Sequence, residues 1–285
     1  MSLTLSIIAA VLFGLAGWWM KISQLRHGAI KTLMLGMYFV GTLCFAIHSL
    51  IEGSFYTLLD FRSLLLGLVI GLGSGLGNYL FMKALERGPA SLISPLSNIN
   101  IILVVLLGVI VYDEGLSSIQ IMSITLLILA TVLISVKKNQ VKSPSSSNWI
   151  GIVLVAVIFF TCRNGGLKVA EELQLASAPI LFVAYFMSLL LFLLPQFNKH
   201  ELPTASASTG WRFGFLTGLF SYAGLQLFAI SMSYGQASIV APVFATNGLV
   251  VTLGAIIFLK ERLSFLQLIA FICLIAGLIG IKITI

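Results

Sequence analysis

One arginine lies deep inside an apolar stretch of this sequence. Arg163 comes 14 residues after Trp149, and Asn164, Gly165 and Gly166 follow it directly. A guanidinium so far from water needs an anionic partner, and its five fixed N–H donors suit bidentate contact with a carboxylate or phosphate. The glycine pair could open the backbone so that its carbonyls join the site. These residues predict a binding site for a solute that carries a negative group.

Arg163 also has a structural explanation. Its long side chain could extend outward to water, or it could form an ion pair with Glu171 or Glu172 near the end of the same stretch. In either case the arginine would bind no solute.

Two asparagines lie at matching places after prolines. Asn100 follows Pro95 by five residues, and Asn247 follows Pro242 by the same spacing. A proline inside a helix removes one backbone donor and leaves a carbonyl without its partner. The two amides beside weakened helices predict a binding site or gate, although interhelical hydrogen bonds of asparagine would explain them equally well.

Further polar residues within apolar stretches could line the same site. Aromatic and amide side chains suit an amphipathic solute, and core packing is the alternative. The candidates are Tyr38, Asn78, Tyr79, Asn98, Tyr185 and Gln226.

Several kinds of chemistry are missing from the pattern. There is no HExxH pair, nucleotide-binding loop, deep carboxylate dyad or Gly-x-Ser-x-Gly nucleophile. We therefore expect no metal, no cofactor and no enzymatic activity. Because no carboxylate lies at mid-depth, any ion coupling would have to use Arg163, a tyrosine or His48, or transport would proceed by substrate exchange.

The composition places these residues in a membrane. Hydrophobic residues make up 59% of the chain, charged residues 9%, and the mean hydropathy is +1.10. Apolar segments long enough to cross a bilayer predict ten transmembrane helices. They lie near 3–22, 30–51, 62–83, 90–112, 116–136, 149–168, 178–197, 210–233, 237–259 and 264–283.

The sequence is an internal repeat. Residues 1–138 align without a gap to residues 148–285, at a constant offset of 147, and a polar linker at 139–147 joins the two copies. Identical pairs include Phe13/Phe160, Lys21/Lys168, Tyr38/Tyr185, Gly71/Gly218, Gly77/Gly224, Pro95/Pro242, Asn100/Asn247 and Glu114/Glu261. Each copy holds five segments, an odd number, so the copies should have opposite orientations within one membrane domain. Inverted repeats of this kind are typical of transporters.

The charge of +7 reflects topology and does not indicate a nucleic-acid partner. All but four of the 16 lysines and arginines fall in the loops after the odd-numbered segments. Arg62, Lys168 and Lys282 lie on the other side, and Arg163 lies within a segment. By the positive-inside rule, both termini would lie outside the cytoplasm.

Local patterns predict two further features at segment ends. Glu114 and Glu261 follow the fourth and ninth segments, where they would cap the helices that come next. His48 and Glu52, four residues apart, would form a solvated pair at the end of the second segment.

Three stretches resemble the EamA-type branch of the drug/metabolite transporter superfamily, and the likeness covers the whole chain. They are Phe13-Gly14 followed by Lys21, the run from Ala84 to Leu96, and the turn from Lys260 to Ser264. The resemblance implies two inverted five-helix repeats, with helices 1–4 and 6–9 around a cavity and helices 5 and 10 outside it. This chain has Phe13 where the branch often has tryptophan. The family's usual placement of both termini inside conflicts with the loop charges and leaves the transport direction open.

We therefore expect a secondary transporter, an exporter or exchanger, that moves small polar metabolites such as amino acids by alternating access. Its expected location is a bacterial plasma membrane. The sequence predicts no particular oligomeric state. Multidrug efflux or flipping of a lipid-linked head group is the alternative within transport, and a channel or receptor is the alternative outside it.

Overall fold

A computed structural model describes residues 1–87, 96–97, 99–135, 148–194, 206–259 and 265–284. Over these ranges the fold is built from α-helices, with a short 3-10 helix at Phe55–Leu59 and a π-helical turn at Leu107–Val111. The α-helices are α1 (Ser2–Leu25), α2 (Ile30–Ile51), α3 (Phe61–Arg87), α4 (Ile99–Leu106), α5 (Ser118–Ser135), α6 (Asn148–Glu172), α7 (Ser177–Leu193), α8 (Ala207–Ser233), α9 (Ala237–Ala245), α10 (Asn247–Leu259) and α11 (Phe265–Thr284).

Helix length and composition fit a bilayer. In the described ranges, six helices (α1, α2, α3, α6, α8 and α11) are long and apolar enough to cross a membrane. The other apolar helices are shorter. Backbone groups in hydrocarbon must be paired within the chain, and continuous helices achieve this.

The predicted ninth segment is two helices rather than one. Pro242 lies inside α9, and the helix ends at Thr246 before α10 begins. Proline cannot donate to the preceding turn, so the backbone bonding there is already weakened. At the junction the hydroxyl of Thr246 donates to the carbonyl of Val243 at 2.7 Å, and the amide of Asn247 donates to that of Phe244 at 2.9 Å. Pro95, the counterpart of Pro242, lies outside the described residues, as does Asn98.

The core joins helices from the two sequence copies. Helix α1 packs against α8, α2 against α8, and α3 against both α6 and α7. Helix α5 packs chiefly against α11. The outer faces of this last pair carry exposed Met122, Ile272 and Ile275, which would face lipid.

Close contacts at two glycines repeat across the copies. A Cβ added to Gly71 would lie 2.6 Å from the carbonyl oxygen of Ala184, and one added to Gly218 would lie 2.7 Å from that of Met37. Gly218 is the counterpart of Gly71 at the offset of 147, and Ala184 is the counterpart of Met37. Small residues at these points let the helix backbones meet closely.

Candidate functional site

Arg163 is buried where α6 crosses α3. Its side chain is held between two phenylalanine rings, with the guanidinium carbon 5.4 Å from the ring centre of Phe13 on α1 and 4.8 Å from that of Phe160 on α6. The residue is only 6% exposed. Phe13 and Phe160 are counterparts in the two copies, whereas the counterpart of Arg163 is Ala16. The two matching phenylalanines therefore hold a charge that only the second sequence copy carries.

A chain of amide hydrogen bonds fixes the arginine. Its Nε donates to Oδ1 of Asn164 at 3.0 Å, and Asn164 Nδ2 donates to Oδ1 of Asn100 at 2.9 Å. Asn100 in turn donates to the carbonyl of Ser97 at 2.6 Å. The three residues that the sequence singled out thus form one network between α6 and α4. In the described part of the chain, the two terminal guanidinium nitrogens have no hydrogen-bond partner.

The carboxylates that could have neutralised Arg163 pair with a different cation. Lys168 Nζ lies 3.1 Å from Glu171, 2.5 Å from Glu172 and 3.0 Å from Glu114. The ion pair considered between Arg163 and Glu171 or Glu172 is therefore wrong for this structure. One buried cation has three carboxylates, and the other has none among the residues described.

Tyr38 and Tyr185 meet in the centre of the protein. Their rings are edge to face with centres 5.3 Å apart, and both are fully buried. The hydroxyl of Tyr38 bonds to that of Ser74 at 3.1 Å, and the hydroxyl of Tyr185 bonds to that of Ser221 at 2.5 Å. Asn78 also donates to Tyr38, at 3.0 Å. Sequence reasoning missed the two serines, although their identity at the offset of 147 was a usable signal.

Phenylalanines close the space beside these tyrosines. Tyr38 stacks on Phe192 at 5.7 Å, and Tyr185 packs on Phe45 at 5.0 Å. Phe45 and Phe192 are again counterparts. Because the rings are packed and their hydroxyls bonded, both tyrosines need a conformational change before they can reach a solute.

Among the described residues, the remaining candidates form no hydrogen bond with Arg163. Gln226 donates to Ser177 at the start of α7 at 3.1 Å, while its buried Oε1 accepts no bond from any described residue. Asn247 lies at the junction of α9 and α10. Tyr79 packs 6.2 Å from Phe192 and lies 5.9 Å from the Lys83 ammonium.

The backbone opening predicted at Gly165 and Gly166 is wrong for this structure. Helix α6 continues without a break to Glu172. A Cβ added to Gly166 would lie 2.7 Å from the side chain of Ile70, and one at Gly165 would lie 3.2 Å from that of Leu107. The two glycines provide room for neighbouring helices.

Glu114 caps a helix in the other copy, which corrects the expectation that it caps the next helix. Its carboxylate accepts the backbone amides of Ala237 and Ser238, each at 2.8 Å, at the start of α9. Helix α5 has its own cap, in which Ser117 and Gln120 bond reciprocally to each other's backbone amides.

The helix start at α9 and the ammonium of Lys168 both favour an anion, and Glu114 is only 8% exposed. We call Glu114, Lys168, Glu171 and Glu172 the charge cluster. It joins the loop before α5 to α6 and α9.

The pKa of Glu114 gives a pH prediction. Burial acts to raise this pKa, but hydrogen bonds from Ser238, Lys168 and Ala237 outweigh it and hold the pKa below 4.5. A carboxyl with a lowered pKa stabilises the fold above its ordinary pKa, and the contribution is lost as pH falls through the folded value. We expect the thermal midpoint difference between wild type and Glu114→Gln to be constant from pH 8 down to roughly pH 5 and to shrink below that. A difference that already shrinks between pH 8 and 6 would contradict this assignment.

Known proteins resemble this chain in sequence and in fold. The model of the EamA-like transporter family matches residues 1–136 and again residues 147–283. A protein of Archaeoglobus fulgidus described as an uncharacterized transporter is 26% identical over 199 residues, a match that covers 67% of this chain and 65% of that protein. The chain thus spans just under two thirds of this relative's length.

A solved crystal structure has the same fold, with a TM-score of 0.77. The likeness covers 99% of this chain and 96% of that one at 13% sequence identity, so it shows the fold alone. The family and the relative are both described as transporters, and the long apolar helices fit a multi-pass membrane protein. Because the family model matches nearly the whole length in two parts, the chain belongs to the EamA-like transporter family.

Proposed function

We propose that this protein is a secondary transporter, an exporter or exchanger, for small polar metabolites that carry a negative group, with amino acids the best single class. The observation that carries the proposal is the buried guanidinium of Arg163, which has no carboxylate among the described residues. A buried charge without a partner lowers the free energy of unfolding by several kcal/mol, which is about a third of the stability of a typical domain. A substrate carboxylate that docks on the free fork of Arg163 would offset that cost.

Alternating access between two inverted repeats is the mechanism we propose. The odd number of segments in each copy supports the inversion. So do the matched contacts Gly71 to Ala184 and Gly218 to Met37, because an internal two-fold relation predicts such pairs. Rocking the copies about the tyrosine pair would expose Arg163 to each side in turn.

We propose that the charge cluster closes one end of this pathway. Glu114 belongs to the first copy, while Lys168 and the start of α9 belong to the second. Opening this end requires separating a buried ion pair and uncovering two backbone amides, which gives a barrier without any moving loop.

Counterflow in proteoliposomes tests the function directly. Vesicles loaded with an unlabelled amino acid should accumulate the labelled one transiently, because a carrier exchanges solute at each cycle. If every member of a panel of carboxylate metabolites simply equilibrates and none gives an overshoot, the protein is a channel and the carrier is rejected.

One observation favours the alternative of drug efflux or head-group flipping. An apolar crevice opens between α4 and α5, lined by Ile99, Ile101, Ile102, Ile128, Thr131, Val132 and Ala245. A lipophilic substrate could enter by this route. If Ile102→Trp and Ile128→Trp together block transport of lipophilic cations, and Arg163→Gln does not, the alternative is correct. We expect the reverse pattern, with Arg163→Gln deficient on anions.

A further inference from the structure

His48 lies between two hydrogen-bond partners from different parts of the fold. Its Nε2 is 2.9 Å from Oε1 of Glu52, the residue that follows α2, and its Nδ1 is 2.8 Å from the hydroxyl of Tyr222 on α8. The His48 side chain is 23% exposed and that of Glu52 is 42% exposed, so protons from water can reach the pair. The sequence suggested a solvated pair at a helix end, and Tyr222 turns it into a bridge between the two copies.

The hydrogen-bond directions in this bridge depend on protonation. A carboxylate only accepts, so Nε2 of the neutral ring carries its hydrogen toward Glu52, and Nδ1 accepts from the Tyr222 hydroxyl. A second proton, taken from solvent onto Nδ1, turns that atom into a donor. The hydroxyl must then accept from it and needs a new partner for its own hydrogen. No other described residue bonds to the Tyr222 hydroxyl, so its hydrogen must turn to water.

The bridge is connected to the central tyrosine pair. Tyr222 packs edge to face on Phe45 with ring centres 4.8 Å apart, and Phe45 packs on Tyr185. The residue before Tyr222 is Ser221, which bonds to the hydroxyl of Tyr185. A single turn of α8 therefore contacts both the histidine and the tyrosine beside the proposed substrate site.

Histidine is the side chain that ordinarily changes charge between about pH 5 and 8. In the described part of the chain two titratable groups bond to this ring, Glu52 directly after α2 and Tyr222 on α8.

We propose that His48 is a proton-binding site that controls the packing of α2 against α8 and thereby the rate of transport. The effect on rate rests on the proposed function, while the effect on packing does not. Protonation reverses the bond between Nδ1 and the Tyr222 hydroxyl and leaves the hydroxyl hydrogen without an acceptor among the described residues, which loosens the contact between the two copies. Acidification from pH 7.5 to 5.5 should therefore speed the conformational change about fivefold, the size expected when one hydroxyl hydrogen loses its acceptor in the protein.

Two readouts test this site with the full-length protein. In proteoliposomes, turnover of an amino acid that does not titrate in this range should rise about fivefold from pH 7.5 to 5.5 for wild type. The profile should be flat for His48→Gln and for Tyr222→Phe, which keeps the histidine but removes the hydroxyl. His27→Asn, at the exposed turn after α1, should keep the wild-type profile.

The second readout needs no transport. Hydrogen exchange of the α8 backbone around Tyr222, corrected for intrinsic rates, should increase at low pH in wild type and in His27→Asn but not in His48→Gln or Tyr222→Phe. If the His48 and Tyr222 variants keep the wild-type pH response in exchange, the proton site is wrong, whatever the transport result. A normal exchange response without any transport would reject the proposed function alone.

Discussion

Replacing Arg163 by methionine should reduce transport of a carboxylate solute at least about 30-fold while leaving the substrate-free protein no less stable. The loss follows because truncating one side of a buried, hydrogen-bonded charge pair costs about 2 to 5 kcal/mol. The unchanged stability follows because Arg163 has no carboxylate among the described residues, so methionine removes a desolvated charge and keeps the packing between Phe13 and Phe160. Kinetics in proteoliposomes and thermal unfolding in detergent measure the two effects.

Arg163→Lys is the matched control for charge. Lysine keeps the positive charge but loses the planar fork, so its transport should lie between that of wild type and Arg163→Met. If the methionine variant unfolds several degrees below wild type, Arg163 is a structural residue and the substrate assignment fails. Equal losses for anionic and cationic solutes would also contradict it.

Replacing Lys168 by methionine should lower the free energy of unfolding by about 3 to 5 kcal/mol, since it leaves the buried Glu114 without its cation. The same change should increase hydrogen exchange at Ala237 and Ser238, whose amides bond to the Glu114 carboxylate. Chemical unfolding in detergent and exchange measured by mass spectrometry report these effects.

Glu171→Gln is the control for this second prediction. Glu171 pairs with the same lysine, but its side chain is 26% exposed, so its loss should cost less than about 1 kcal/mol. Costs of equal size for the two variants would show that the charge cluster is a surface network and does not close one end of the protein.

The sequence predicted the helices well because hydrophobic length alone specifies them. The segment predicted at 30–51 is α2 to the residue, and the segments at 116–136 and 210–233 correspond to α5 and α8 within a few residues. Hydropathy does not mark the junction at Thr246, but Pro242, which the sequence analysis predicted to weaken this segment, lies four residues before it. At the junction the side chains of Thr246 and Asn247 bond to the carbonyls of Val243 and Phe244, a detail that the apolar pattern does not encode.

The candidate site was predictable where polarity alone decides the location. Arg163, Asn164 and Asn100 are polar groups that hydrocarbon excludes, and the structure brings them into one network. Glu114 was misassigned because local capping is the simplest explanation for an acid before a helix. Its actual partners lie 123 and 124 residues away. The identities Lys21/Lys168 and Glu114/Glu261 already placed one acid and one base in each copy, which was the available clue.

The most direct test of the central claim is ligand-induced thermal stabilisation measured with matched pairs of solutes. Each pair consists of a carboxylate metabolite and its uncharged carboxamide, applied to wild type and to Arg163→Gln. A ligand at 100 times its Kd stabilises the folded state by about 2.7 kcal/mol, which is readily measured. We expect at least one carboxylate to stabilise wild type, its carboxamide to have little effect, and neither to stabilise Arg163→Gln. Equal stabilisation by acid and amide, or by the acid in both proteins, would show that Arg163 does not bind the substrate anion.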